Sequence, residues 1–253
     1  MVTLPDPRPT RDKDAALVQQ MFDRVAPRYD LANTVFSLGQ DHHWRRVTRR
    51  AVAPRSGEVV LDVASGTGAL AHQLRAGGAQ VVALDFSWKM LATGAVRDRA
   101  AHTGPQILWC NGDALRLPLA DARVDAATIA FGLRNLPDAS AGLRELARVV
   151  RPGGRLLVLE FSTPTWAPLR EIYLRYLVGA MPALARVVTS DPSAYRYLAE
   201  SIQAWPDQAA LAGVIADAGW TRVRWKNLSG GIVAAHYAVH ALWAGNARDG
   251  DRQ

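Results

Sequence analysis

The segment Val59-Val-Leu-Asp-Val-Ala-Ser-Gly-Thr-Gly68 constrains this chain more than any other. Val59 to Val63 reads as a strand buried on both faces, because strands of parallel sheets are nearly continuous in apolar residues. Gly66 and Gly68 allow a tight turn and a close approach of ligand to backbone. A helix then starts near Gly68. In open α/β sheets, ligands bind beyond the carboxyl ends of the strands, where the strand order reverses. The segment therefore predicts a fold class and the place of a site together.

The rest of the chain continues the alternation. Helical spacing places Leu17, Val18, Met21, Phe22 and Val25 on one helix, Ala15 to Val25, and a second helix covers Asp41 to Ala51. Strands are expected at Gln80 to Asp85, Ile107 to Cys110, Val124 to Ala130 and Leu156 to Phe161. Helices lie between them at Leu70 to Ala76, after a Ser87 cap, and at Ala139 to Val150, where Arg151-Pro-Gly-Gly stops the helix. From Trp166 to about Trp205 the alternation lapses into helices with several prolines, read as a lid. A helix at Asp207 to Ala218 precedes two strands, Thr221 to Asn227 and Ile232 to Val239, joined by Leu228-Ser-Gly-Gly231. The expected architecture is an α/β, Rossmann-like sheet of seven strands, of the Class I methyltransferase type, with N-terminal helices and a C-terminal antiparallel hairpin. A single domain spans 14–243, including the lid at about 166–205. Residues 1–13 and 244–253 are polar, with little to bury, and read as disordered.

Bulk properties narrow the function classes. No apolar stretch reaches the roughly 20 residues that span a bilayer, and the N-terminus lacks a signal-peptide core. The single cysteine, Cys110, excludes an intrachain disulfide framework and a multi-cysteine metal site; no metal is expected. A cytoplasmic location follows. The net charge of +7 comes almost wholly from arginine. Those arginines are scattered and do not interleave with aromatic residues, so nucleic acid is not an expected partner; a membrane surface ranks above it. Self-association is compatible with the sequence and not required by it.

The glycine loop alone admits two ligands. Gly66-x-Gly68-x-x-Ala71 fits a dinucleotide fingerprint, with Asp85 as the ribose acid, which suits an NAD-dependent oxidoreductase. Three features favour S-adenosyl-L-methionine. Asp62 lies inside the loop, where it would repel a pyrophosphate. Asn111-Gly-Asp113-Ala114 offers an acid to the adenine amine and the Ala114 amide to the ring. The terminal hairpin is the third. On this reading Gly66, Thr67 and Gly68 pass under the methionine moiety, and Asp62 faces its amino-acid end. Asp85 accepts from the ribose hydroxyls, and Ala130 borders the methyl-transfer centre.

More specific blocks occur elsewhere: Met21-Phe-Asp-Arg-Val-Ala-Pro-Arg-Tyr-Asp30 with Asn33 and Trp44, Phe131-Gly-Leu-Arg-Asn-Leu136, Arg151 to Ser162, Asp191-Pro-Ser-Ala-Tyr-Arg-Tyr-Leu-Ala-Glu-Ser-Ile202, Pro206-Asp-Gln208 and Gly230 to His236. In these the chain resembles the ubiquinone/menaquinone C-methyltransferase family (UbiE/MenG) over about residues 17 to 240. Leu38-Gly-Gln-Asp41 looks like the menaquinone branch of high-GC bacteria. The chain departs from the family pattern at Ser65 (often glycine), Ala69 (often an acid) and Ala130 (often serine), which weakens side-chain roles carried over at those positions.

The resemblance implies methylation of a ring carbon of demethylmenaquinol, with S-adenosyl-L-homocysteine as the other product. Removing a phenolic proton pushes charge onto the adjacent ring carbon, which attacks the methyl in line. Arg134 is a candidate to stabilise that charge, or else an internal ion-pair partner. Asn135 is expected to orient a quinol oxygen. Tyr29, and Tyr195 from the lid, either contact the ring or cover the cofactor, or else Tyr29 is a core residue and Tyr195 packs within the lid helix. His236 is a proton carrier or a structural residue, and Asp191 a base or a helix cap. The isoprenoid tail implies peripheral contact with the inner face of the cell membrane, through Met21 and Phe22 or through Ile172 to Met181. Other small phenols, polyketide-like or sterol substrates, fit the cofactor loop equally but not the specific blocks.

Overall fold

The computed structural model describes residues 15–26, 29–101, 107–181, 184 and 192–241. The expected disordered ends and Asp191 lie outside those residues. Seven strands form one sheet in the order β3-β2-β1-β4-β5-β7-β6. They are β1 (Val59–Val63), β2 (Gln80–Asp85), β3 (Ile107–Asn111), β4 (Val124–Ala130), β5 (Val150–Phe161), β6 (Trp220–Leu228) and β7 (Val233–His240). The first five are parallel. β7 runs antiparallel to both β5 and β6, as expected of the terminal hairpin.

Side-chain alternation builds a core on each face. Leu61 and Val63 of β1, with Leu156 and Val158 of β5, face one core. It is covered by α6 (Ala139–Val149) and α9 (Gln208–Asp217) through Leu143, Leu146, Leu211 and Ile215. Val60, Leu157 and Leu159 face the other, covered by α3 (Gln40–Val52) and α4 (Ala69–Arg75). The near-continuous apolar reading of β1 thus reflects two buried faces. The remaining helices are α1 (Ala15–Val25), α2 (Tyr29–Phe36), α5 (Trp88–Ala101), α7 (Ala167–Arg175) and α8 (Pro192–Gln203). Ser87 caps α5 as expected, its hydroxyl accepting from the Met90 amide.

Two elements depart from expectation. α2 is absent from the sequence-based reading; it has eight residues and buries only Ala32, so it carries no apolar stripe to read. Arg151-Pro-Gly-Gly does follow a helix end, but the chain enters β5 directly at Val150. Val124 pairs with Val150 and Ala126 with Arg155, so the extra residues form a bulge. A proline within a sheet belongs at such an irregularity.

The strand order reverses between β1 and β4, and their C-terminal ends meet there. Ala64 (φ 51) and Phe131 (φ 58), the residues just beyond the two strands, both adopt left-handed backbone. A Cβ on Gly132 would lie 2.3 Å from the Ala64 Cβ, so the loops touch through glycine. Holding two non-glycine residues there costs about 1–2 kcal/mol each, a pattern that clusters at functional sites.

Candidate active site

Three spaces meet at this edge. The first lies beyond β2 and β3 and is lined by Gly66, Asp85, Gly112, Asp113, Ala114 and Ala130, with Phe22 and Gln19 of α1 as its outer wall. The Gln19 side chain donates to the Phe86 carbonyl at 3.0 Å, tying α1 across the opening. The second is small and sits over the β1 loop, between Asp62, Ser65, Thr67 and Arg45. The third, of about 320 Å³, lies between α2, α3 and the lid, and its walls are mostly apolar. Tyr29 lines all three; Phe131 lines the first and third.

Asp85 is fixed by two backbone donors. Gly66 N donates to one oxygen and Ser87 N to the other, each at 2.8 Å. A carboxylate has about four lone-pair sites, so each oxygen keeps capacity toward the cavity. Burial pushes Asp85 up to about 6, against those donors. Asp113 accepts from the Leu115 amide at 2.8 Å and lines the same cavity. Asp62 is buried. One oxygen accepts from the Thr128 hydroxyl at 2.6 Å, and the other has no partner among the described residues. The Ser65 hydroxyl in the same small space is also unpartnered. Buried polar atoms are rarely left so; two together fit the charged and polar end of a ligand.

Thr67 and Gly68 have structural duties. The Thr67 hydroxyl donates to Asp30 at 2.7 Å, and Asp30 also binds Arg97, so α2 is pinned over the glycine loop. Gly68 (φ 81) caps α4, and a Cβ there would meet the Trp109 ring at 2.3 Å.

The FGLRN block forms a short 3-10 turn, Leu133–Asn135, after β4. Arg134 is buried and donates to Glu160 at 2.6 Å and to the Phe131 carbonyl at 2.7 Å, so the internal ion pair is present. Its Cζ lies 5.1 Å from the centroid of the Phe161 ring, and it lines the third space. Asn135 borders the first space instead. It donates to the Phe131 carbonyl at 3.3 Å and accepts from Tyr197 of α8 at 3.2 Å. One end of its amide thus closes the turn on Phe131 and the other ties the turn to the lid. Tyr195 is buried against Phe36, ring centroids 4.4 Å apart. His236 is buried and donates from Nε2 to the Gln208 carbonyl at 2.9 Å; burial lowers its pKa, so it is neutral. It lines none of the three spaces and is structural. Among the described residues no cluster of His, Cys, Asp or Glu could hold a metal.

Residues 10–240 match the model of the ubiE/COQ5 methyltransferase family. The chain belongs to that family. A demethylmenaquinone methyltransferase of Mycolicibacterium vanbaalenii is 56% identical over 234 residues, covering 92% of this chain and 99% of that one. Among solved structures, the cyclase SpnF superposes with a TM-score of 0.67 at 18% identity, covering 93% of this chain and 98% of that one. A SAM-dependent methyltransferase from Aquifex aeolicus gives 0.56 at 19% identity, covering 77% and 88%. At such identities the likeness shows the fold alone, and one neighbour being a cyclase illustrates why fold does not carry function. With the family known, the dinucleotide reading is set aside: the protein is a methyltransferase and its cofactor is S-adenosyl-L-methionine.

Burial raises Asp62 to about 7, with the Thr128 bond and the Arg45 charge opposing it. A carboxyl raised on folding holds its proton in the native state while the unfolded chain has lost it. Its stability contribution is therefore full below the unfolded pKa, about 3.9, and is lost as pH rises through about 7. The ligand-free methyltransferase should melt lower at pH 8 than at pH 5. Asp62→Asn should remove much of that slope, melting above wild type at pH 8 while binding S-adenosylhomocysteine poorly. Thermal scans across pH check this; a variant with the wild-type slope counts against it.

Proposed function

We propose that this methyltransferase methylates a ring carbon of demethylmenaquinol, giving menaquinol. The observation that carries the reading is the pair of spaces sharing Tyr29 and Phe131 as walls, one bearing the acid set Asp85 and Asp113, the other mostly apolar. Such a pair suits a polar cofactor and a lipophilic ring brought face to face. When bound, S-adenosyl-L-methionine supplies an electrophilic methyl on sulfur. Asp62 and Ser65 are suited to its amino-acid end, Asp85 to its ribose and Asp113 to its adenine. The apolar walls of Trp44, Phe131 and Phe161 exclude water from the ring, and Arg134 offers positive charge where phenolate character develops. Tyr29 lines both spaces, so its ring is suited to flank the two ligands where they meet. The name of the Mycolicibacterium relative supports the substrate.

The tail gives the reaction a place. Each buried methylene costs about 0.8 kcal/mol to expose, so an isoprenoid chain stays in lipid. No described helix is long and apolar enough to cross a membrane. Leu38, 85% exposed, and Ile172, 63% exposed, both line the apolar cavity, which supports an opening between the α2–α3 turn and α7. Val178 is exposed on the adjoining turn. Of the two α1 residues considered for such contact, Met21 is buried and Phe22 half-buried, which favours the lid edge over α1. We take this lid edge as the peripheral contact on the cytoplasmic side of the membrane. The test presents demethylmenaquinol, kept reduced, in anionic vesicles with S-adenosylmethionine. The expected result is co-sedimentation of the protein and a quinol one methyl group heavier by mass spectrometry. Methylation of an unrelated phenol or sterol but not of the quinol would overturn the reading.

A further inference from the structure

The apolar cavity holds a polar feature that neither the fold nor the family motifs assign. Tyr173 of α7 is only 7% exposed, yet its hydroxyl has no hydrogen-bond partner among the described residues. Two other lid tyrosines differ. Tyr176 donates to the Phe36 carbonyl at 3.0 Å and Tyr197 to Asn135 at 3.2 Å. Tyr173 packs in one apolar cluster with Leu177, Met181 and Ile202, none of which can accept from its hydroxyl. A second orphan belongs to the same cavity: Arg134 is 5% exposed and its Nε has no partner among the described residues, although its Nη1 is held by Glu160 and the Phe131 carbonyl. Tyr173 and Arg134 line the same cavity, and the charges of Arg134 and Glu160 are felt at the Tyr173 hydroxyl. Burial raises the Tyr173 phenol well above its usual value, so it stays a donor throughout the physiological range.

Two buried donors lining one mostly apolar cavity, both without a partner among the described residues, can serve a single acceptor oxygen. We propose that the Tyr173 hydroxyl and the Arg134 Nε together bind one ring oxygen of the substrate, and that Tyr173 thereby selects an aromatic hydroxyl or its phenolate over a purely hydrocarbon ring. This rests on the methyl acceptor being a quinol. Glu160 is a positioning residue in this scheme, since it aims the guanidinium without reaching the cavity.

Tyr173→Phe tests the proposal, because it deletes one oxygen and keeps the ring. The expected variant has a quinol KM raised about tenfold, the effect of one hydrogen bond. Its pH–rate profile shifts to higher pH on the acid side, because the phenolate has lost a donor. Its S-adenosylhomocysteine affinity is unchanged, and its melting temperature is equal to or above wild type, since an unsatisfied hydroxyl has been removed. Tyr176→Phe, which deletes a bonded hydroxyl, should instead melt lower. An unchanged quinol KM and pH profile would overturn the proposal, as would a lowered melting temperature with parallel loss of cofactor affinity. If wild type methylates no quinol, the functional reading fails first. Titration with a short-tailed naphthoquinone then decides for Tyr173: equal binding by wild type and variant, or none by either, overturns it.

Discussion

Gly94→Ala should cost the enzyme most of its cofactor affinity, and Gly68→Ala should cost it still more. The Trp109 ring is wedged between these two glycines. A Cβ on Gly68 would lie 2.3 Å from Trp109 Cη2, and one on Gly94 would lie 2.5 Å from the same atom and 2.7 Å from the Thr67 carbonyl oxygen. The ring cannot retreat from one without striking the other. Overpacking of this kind costs about 1–3 kcal/mol. At Gly68 a left-handed backbone, φ 81, adds about 1–2 kcal/mol for any side chain. The strain falls on the loop whose Gly66 amide holds Asp85, so it is felt as lost binding. We expect S-adenosylhomocysteine affinity to fall at least tenfold for Gly94→Ala and about a hundredfold for Gly68→Ala, by isothermal titration. Combining each with Trp109→Leu should recover part of the Gly94→Ala loss and less of the Gly68→Ala loss, whose backbone strain remains. A Gly94→Ala enzyme with wild-type affinity would refute the wedge.

That wedge also marks how far the sequence could be read. β1, β2 and β4 follow the expected bounds because strands buried on both faces carry their signal in every residue. The acids at the cavity edge were legible for a related reason: Asp62, Asp85 and Asp113 each sit in or beside a strand end, where the fold itself dictates a site. Contacts between distant segments carry no such mark. Nothing local ties Gly94 to Trp109 and Gly68, or Thr67 to Asp30. The role of α1 as a wall was missed because Phe22 reads equally as core. His236 and Tyr195 were ambiguous in sequence for the same reason, since a buried aromatic looks alike in a site and in a core. Tyr173 carried no signal at all; its hydroxyl is informative only because the structure leaves it unpaired.

Arg134 joins both questions, and removing its partner should be among the most damaging changes to stability. Glu160 is fully buried and Arg134 nearly so, 2.6 Å apart. Burial pushes the Glu160 carboxyl up, and the neighbouring guanidinium pulls it back. Such a pair contributes little against an apolar replacement of both members, but breaking it strands a charge at about 3–5 kcal/mol. Glu160→Leu should therefore lower the melting temperature by roughly 10 °C, and Arg134→Met should do so to a similar extent. The double variant should recover most of the loss, because neither charge remains. Activity should not follow stability. The double variant lacks the guanidinium that lines the apolar cavity and holds the Phe131 carbonyl, so it should stay folded, bind S-adenosylhomocysteine and turn over at least a hundredfold more slowly. A stable double variant with wild-type turnover would leave Arg134 a purely structural residue. A double variant as unstable as either single would show that Phe161, beneath the guanidinium, cannot close over the space that is left.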